Sequence, residues 1–111
     1  MYAVMITAHS LGSALATYFA QDLAELIGER ASACLFASPR TGDQAWADLV
    51  DRTVKEYAVF NYVIDAVTHV PTGLGYVTLP RASREETNAF LERWYDVDGP
   101  QQPLFVRYHA F

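Results

Sequence analysis

The chemistry this sequence offers begins at a single hydroxyl. Ser10 follows an apolar run, residues 2–7, and precedes Leu11-Gly12-Ser13-Ala14-Leu15, a stretch rich in small residues and helix formers. Ala8 and Gly12 lie two positions to either side of it, where bulk is expected to collide with the crossing strand and helix. A strand, a sharp turn and a helix with a serine at the apex make the pattern called a nucleophile elbow, usually written G-x-S-x-G. Ala8 stands in place of the first glycine. The competing role for Ser10 is a helix N-cap. A serine hydroxyl is a weak nucleophile until a base activates it, and imidazole is the suitable base near neutral pH. The imidazole in turn needs a carboxylate on its other nitrogen to hold its tautomer and orientation.

Three histidines can be weighed for that role: His9, His69 and His109. His9 adjoins Ser10 on the turn, so its side chain points elsewhere, and its expected role is packing or hydrogen bonding under the elbow. His69 shares a loop with Asp65, four residues earlier, and this short tether limits its reach toward Ser10. It stays open as the second candidate. His109 is the first candidate, because it follows the acid in the chain order Ser, acid, His. Asp65 is the favoured acid. It ends an apolar strand at the carboxyl edge of a parallel sheet, the rim where ligands gather and where Ser10 also sits. Asp43, Asp48 and Asp51 read as caps or solvated charges, and Asp96 and Asp98 as loop alternates. The backbone N–H of Leu11, next to the nucleophile, is the expected oxyanion donor, aided by the helix N-terminus. The second donor normally comes from an earlier loop, which these residues do not include. This chemistry calls for no cofactor and no metal. No Cys/His cluster has zinc-site spacing, and Cys34 reads as a small buried hydrophobe.

Positioning these groups needs a framework. The pattern predicts a central strand over residues 2–7, a helix over 10–27 ended by Gly28, and a second strand over 31–37. Ala14, Leu15, Ala16, Phe19, Ala20, Leu23 and Leu26 recur at helical spacing. Asp43 is placed to cap a short helix carrying Ala45, Trp46, Leu49 and Val50, before a third strand over 56–63. A short strand is expected over 76–79. Ser83-Arg84-Glu85-Glu86 has capping-box spacing for a helix through about residue 95. Strand–helix–strand alternation implies right-handed crossovers and a mostly parallel α/β sheet. Because a fully apolar first strand ordinarily needs neighbours on both sides, further strands are expected upstream. Residues 1–111 then read as the C-terminal portion of one α/β domain, whose bare sheet edges invite association.

Composition narrows the functional classes. A hydrophobic content of 51% suffices for a real core, and 19% charged residues argues against disorder. The net charge of −5, without any run of Lys or Arg, disfavours nucleic-acid binding. No apolar run approaches the ~20 residues of a membrane span.

Three stretches together resemble the class 3, fungal-type lipases of the α/β-hydrolase fold. Residues 6–15, Ile-Thr-Ala-His-Ser-Leu-Gly-Ser-Ala-Leu, are similar to the family's T-G-H-S-L-G-G-A-L elbow. Residues 36–42, Phe-Ala-Ser-Pro-Arg-Thr-Gly, resemble its F-G-x-P-R-x-G loop. Residues 61–71, from Asn61 through Asp65 to Pro71, resemble its N-x-x-D-x-V-x-x-x-P segment. Ala8 and Ser13 depart from the pattern, each standing where the family usually has glycine. The resemblance implies hydrolysis of carboxylic esters, typically acylglycerols at a lipid–water interface, with Ser10 as nucleophile and Asp65 as acid. It also implies a histidine near the C-terminus, a place that His109 fits. Two other readings are a hydrolase-shaped scaffold without activity, and an acyltransferase or phospholipase built on the same three residues.

Overall fold

The computed structural model describes residues 2–85 and His109. Strand β1 (Val4–His9) leads through helix α1 (Leu11–Ile27) to β2 (Ala31–Phe36), then through α2 (Gln44–Thr53) to β3 (Glu56–Tyr62), and a fourth strand, β4 (Ala82–Glu85), follows. The strands form one sheet in the order β1-β2-β3-β4, every neighbouring pair parallel. Parallel neighbours need crossovers, and α1 and α2 provide the first two. Both helices cover the same sheet face, where Ala20 and Ala24 of α1 meet Ala33, Leu35, Val59 and the Val50 and Val54 side chains. Among the described residues no helix is long and apolar enough to cross a membrane.

Local signals account for most element boundaries. Gly28 ends α1 at φ 62, a conformation that costs glycine little. Asp43 caps α2, its Oδ1 accepting from the Trp46 N–H at 2.9 Å. Gly42 must be glycine, because a Cβ there would lie 2.5 Å from Trp46 Cγ and Cδ1. The indole is held in place by its Nε1–H, which donates to Thr41 Oγ1 at 2.9 Å. The Tyr18 hydroxyl donates to the Thr41 carbonyl, tying α1 to the same loop. Burial, reinforced by Asp51, pushes the Tyr57 hydroxyl upward from its ordinary range, so it stays protonated and donates to Asp51 at 2.7 Å.

Several expectations are corrected. The face that α1 buries is Ser13, Thr17, Ala20, Gln21 and Ala24, while Leu15, Phe19 and Leu26 are exposed among the described residues. Leu23 and Ile27 pack against the margin of the core, so only part of the apolar set faces the sheet. β1 is an edge strand of the described sheet, with Met5 69% exposed, and its apolar surface is left open on the side where the sequence reading expects further strands. A methyl group on Gly12 would meet Ala8 Cβ at an ordinary 3.9 Å, so the two positions face each other and leave room for a single added carbon. Cys34 is half-buried. The strand expected over 76–79 shrinks to one antiparallel bridge, Val77 to Gly42.

The expected capping box is also overturned. Ser83, Arg84 and Glu85 pair in parallel with Phe60, Asn61 and Tyr62. Here an open edge of β3 outweighs a local helix-start signal, as tertiary pairing routinely does. The remainder of that expected helix, and Asp96 and Asp98, lie outside the described residues.

Candidate active site

The strands end at one level, and this sets the site. Along the sheet His9 pairs with Phe36, and Phe36 with Phe60. One residue further on, the chain leaves the sheet twice in the same way. The Ser10 N–H donates to the Phe36 carbonyl and the Ala37 N–H to the Phe60 carbonyl, each at 2.9 Å. Both residues have positive φ, 59° for Ser10 and 52° for Ala37. Ser10, with ψ −130, occupies the geometry of the first central residue of a type II′ turn, a place that favours glycine. A non-glycine residue so held is strained, and such strain persists only where the surroundings enforce it.

Ser13 supplies part of that enforcement. It is fully buried, its hydroxyl donates to the Phe36 carbonyl at 2.9 Å, and its oxygen accepts from the Phe36 N–H at 3.3 Å. The carbonyl that receives the Ser10 N–H is therefore also gripped by the helix that follows.

Asp65 follows β3 on the same rim and is completely buried. Its two carboxylate oxygens are divided. Oδ1 accepts from the Val67 N–H at 3.0 Å, starting a short helical turn over Ala66–His69. The Thr68 hydroxyl donates to the Asp65 carbonyl at 2.9 Å, fixing the backbone. Oδ2 remains for His109, whose Nδ1 lies 2.8 Å away. The other face of that imidazole meets the elbow: Nε2 is 2.7 Å from Ser10 Oγ. Residues 44 and 99 positions away in sequence thus bracket one ring. An ionised carboxylate can only accept, so Nδ1 carries the proton and Nε2 is the acceptor for the Ser10 hydroxyl.

The remaining sequence candidates are placed as follows. His69 donates from Nε2 to the Val63 carbonyl at 2.8 Å and has no hydrogen bond to Ser10. Leu11 opens α1, where the first N–H groups of a helix have no intrahelical partner and the helix dipole is positive. His9 lies within hydrogen-bonding distance of the His109 carbonyl, 2.6 Å from its Nε2, rather than under the elbow. Two contributors were missed in the sequence: Ser13, and Asn61, whose Oδ1 accepts from the buried Ser38 N–H at 3.0 Å and holds the loop after β2. The signal that pointed toward Asn61 is its place at the head of the segment over residues 61–71, four residues before Asp65. Among the described residues, no three histidine, cysteine or acidic side chains converge as metal ligands would.

Comparison with known proteins bears on the family and the fold. Residues 1–74 match the family model described as Lipase (class 3). A mutant form of MDLA from Penicillium cyclopium superposes with a TM-score of 0.71 at 30% identity, covering 78% of this chain and 32% of that one. A structure described as a fungal lipase gives 0.70 at 27% identity, covering 78% and 32%. Lipase II from Rhizopus niveus gives 0.62 at 29% identity, covering 69% and 31%. The chain spans about a third of the length of the solved structures it matches.

Proposed function

The chain belongs to the class 3 lipase family, and from that premise we propose that it carries the reacting residues of a serine hydrolase that cleaves carboxylic esters, acylglycerols first among them. The observation that carries this reading is the pair of contacts on one imidazole, 2.7 Å to Ser10 Oγ and 2.8 Å to Asp65 Oδ2. Ser10 is the nucleophile, His109 the base and Asp65 the group that orients it.

The steps follow from the donors and acceptors. As Oγ attacks the ester carbonyl carbon, its proton passes to His109 Nε2. The imidazolium so formed is stabilised by the buried Asp65 carboxylate. The carbonyl oxygen gains the negative charge, and the Leu11 N–H at the start of α1 is the donor that meets it. Collapse of the tetrahedral intermediate breaks the bond to the alcohol oxygen, which takes the proton from Nε2. Water then attacks the acyl-serine, with His109 accepting its proton, and the acid leaves as Ser10 is restored. A positioned base contributes roughly 10²–10⁴ in rate, and one oxyanion donor about 10²–10³. The exposed Leu11 side chain beside the nucleophile suits an apolar acyl group.

The test is ester hydrolysis by the full chain across acyl lengths, from soluble nitrophenyl esters to emulsified glycerides. Turnover that disappears in Ser10→Ala is the expected result. A folded chain that hydrolyses no ester and reacts with no fluorophosphonate overturns the reading in favour of a scaffold. Dominant transfer of the acyl group to an added alcohol would instead reassign it as an acyltransferase.

A further inference from the structure

Two consecutive residues of the elbow hold His109 at two different atoms. Ser10 meets the ring at Nε2, and His9 meets the backbone, its own Nε2 lying 2.6 Å from the His109 carbonyl oxygen. A carbonyl only accepts, so His9 is the donor and carries its proton on Nε2. The two rings are 5.1 Å apart and tilted by 36°, so what joins them is this hydrogen bond rather than a face-to-face stack. The His9 side chain is exposed and adds little to the core.

We propose that His9 is a positioning residue for His109, anchoring the backbone of the base to the strand end that also carries the nucleophile. The proposal rests on the reading of His109 as the base. Its physical content is that β1 supplies both the Ser10 hydroxyl and the anchor for its partner. The Oγ–Nε2 distance is then spanned by a frame two residues long, although the two residues stand 99 positions apart in sequence. With Asp65 on Nδ1, contacts among the described residues hold His109 at three points, two on its ring and one on its main chain. Losing the main-chain contact removes the tie between the backbone of the base and the strand end that carries the nucleophile.

The experiment compares His9→Phe, which keeps a ring but no donor, with His9→Gln, whose amide N–H reaches the carbonyl, in the full chain. His9→Phe is expected to lower kcat on a soluble ester by about 10- to 100-fold, the scale of a misplacement near 1 Å. KM and the thermal midpoint should stay close to wild type, the rate of fluorophosphonate labelling should fall in parallel, and His9→Gln should recover most of the loss. If His9→Phe does not fold, His9→Asn replaces it; its shorter amide cannot reach, so it should be slow where His9→Gln is fast. A donor-less variant as fast as wild type, Gln and Phe variants equally slow, or a rise in KM with kcat unchanged would each overturn the assignment. If the wild type itself neither labels nor turns over, the functional reading fails and takes this assignment with it. A labelled wild type with an equally fast Phe variant removes only the role of His9.

Discussion

Replacing Ser10 by glycine should leave the protein more stable than replacing it by alanine, the reverse of the usual order. Both substitutions remove the hydroxyl and its contact with His109, so their difference isolates the backbone. Ser10 sits at φ 59 and ψ −130, a conformation open to glycine and costly for any residue with a Cβ. Such strain is worth about 1–3 kcal/mol, and alanine retains it. Glycine relieves it but adds about 0.5–1 kcal/mol of backbone entropy to the unfolded chain. The net advantage of Ser10→Gly over Ser10→Ala is therefore up to about 2.5 kcal/mol, centred on about 1 kcal/mol. Urea unfolding of the two full-chain variants measures it: for the central value of ~1 kcal/mol and slopes of about 1–3 kcal/mol per molar, the midpoints should separate by about 0.3–1 M. An alanine variant more stable by about 0.5–1 kcal/mol, the order at ordinary positions, would refute the claim that the elbow stores strain.

Three further outcomes follow from the same geometry. Ser13→Ala removes two part-buried hydrogen bonds to the Phe36 backbone, and should cost about 1–3 kcal/mol in urea unfolding. Esterase turnover should largely survive it, because the Ser10 N–H keeps its bond to Phe36. Gly42→Ala forces a Cβ to within 2.5 Å of the Trp46 ring, so it should destabilise by about 1–3 kcal/mol and shift the tryptophan fluorescence of the folded protein. Asp65→Asn keeps the shape of the side chain but offers His109 a neutral amide, so kcat should fall by about 10³- to 10⁴-fold while the fold persists.

Much of the framework was written locally and could be read locally. The helix starts and stops at Asp43 and Gly28, and the elbow around Ser10, depend on neighbours within a few residues, so they were legible. The parallel order of the first three strands followed from their alternation with helices. What failed was set by partners distant in sequence. Ser83 to Glu85 carry a helix-start pattern, but the free edge of β3 pairs with them as a strand. The apolar residues of α1 marked a helix correctly, but they are split between its faces: Ala20 is buried and Leu23 packs against the core, while Leu15, Phe19 and Leu26 are exposed among the described residues.

The site divides in the same way. Asp65 announced itself as a turn residue and as an acid, and its two oxygens do both things. The grip of Ser13 on Phe36 and of His9 on the His109 carbonyl spans 23 and 100 residues. No local pattern records contacts of that range.

The most direct test of the account is the second-order rate of fluorophosphonate reaction at Ser10 in three full-chain proteins: wild type, His109→Ala and His69→Ala. If the distant imidazole activates the elbow hydroxyl, His109→Ala should lose about 10²–10⁴ in rate and His69→Ala should match wild type. Loss in His69→Ala with His109→Ala unaffected, or equal rates in all three, would contradict it.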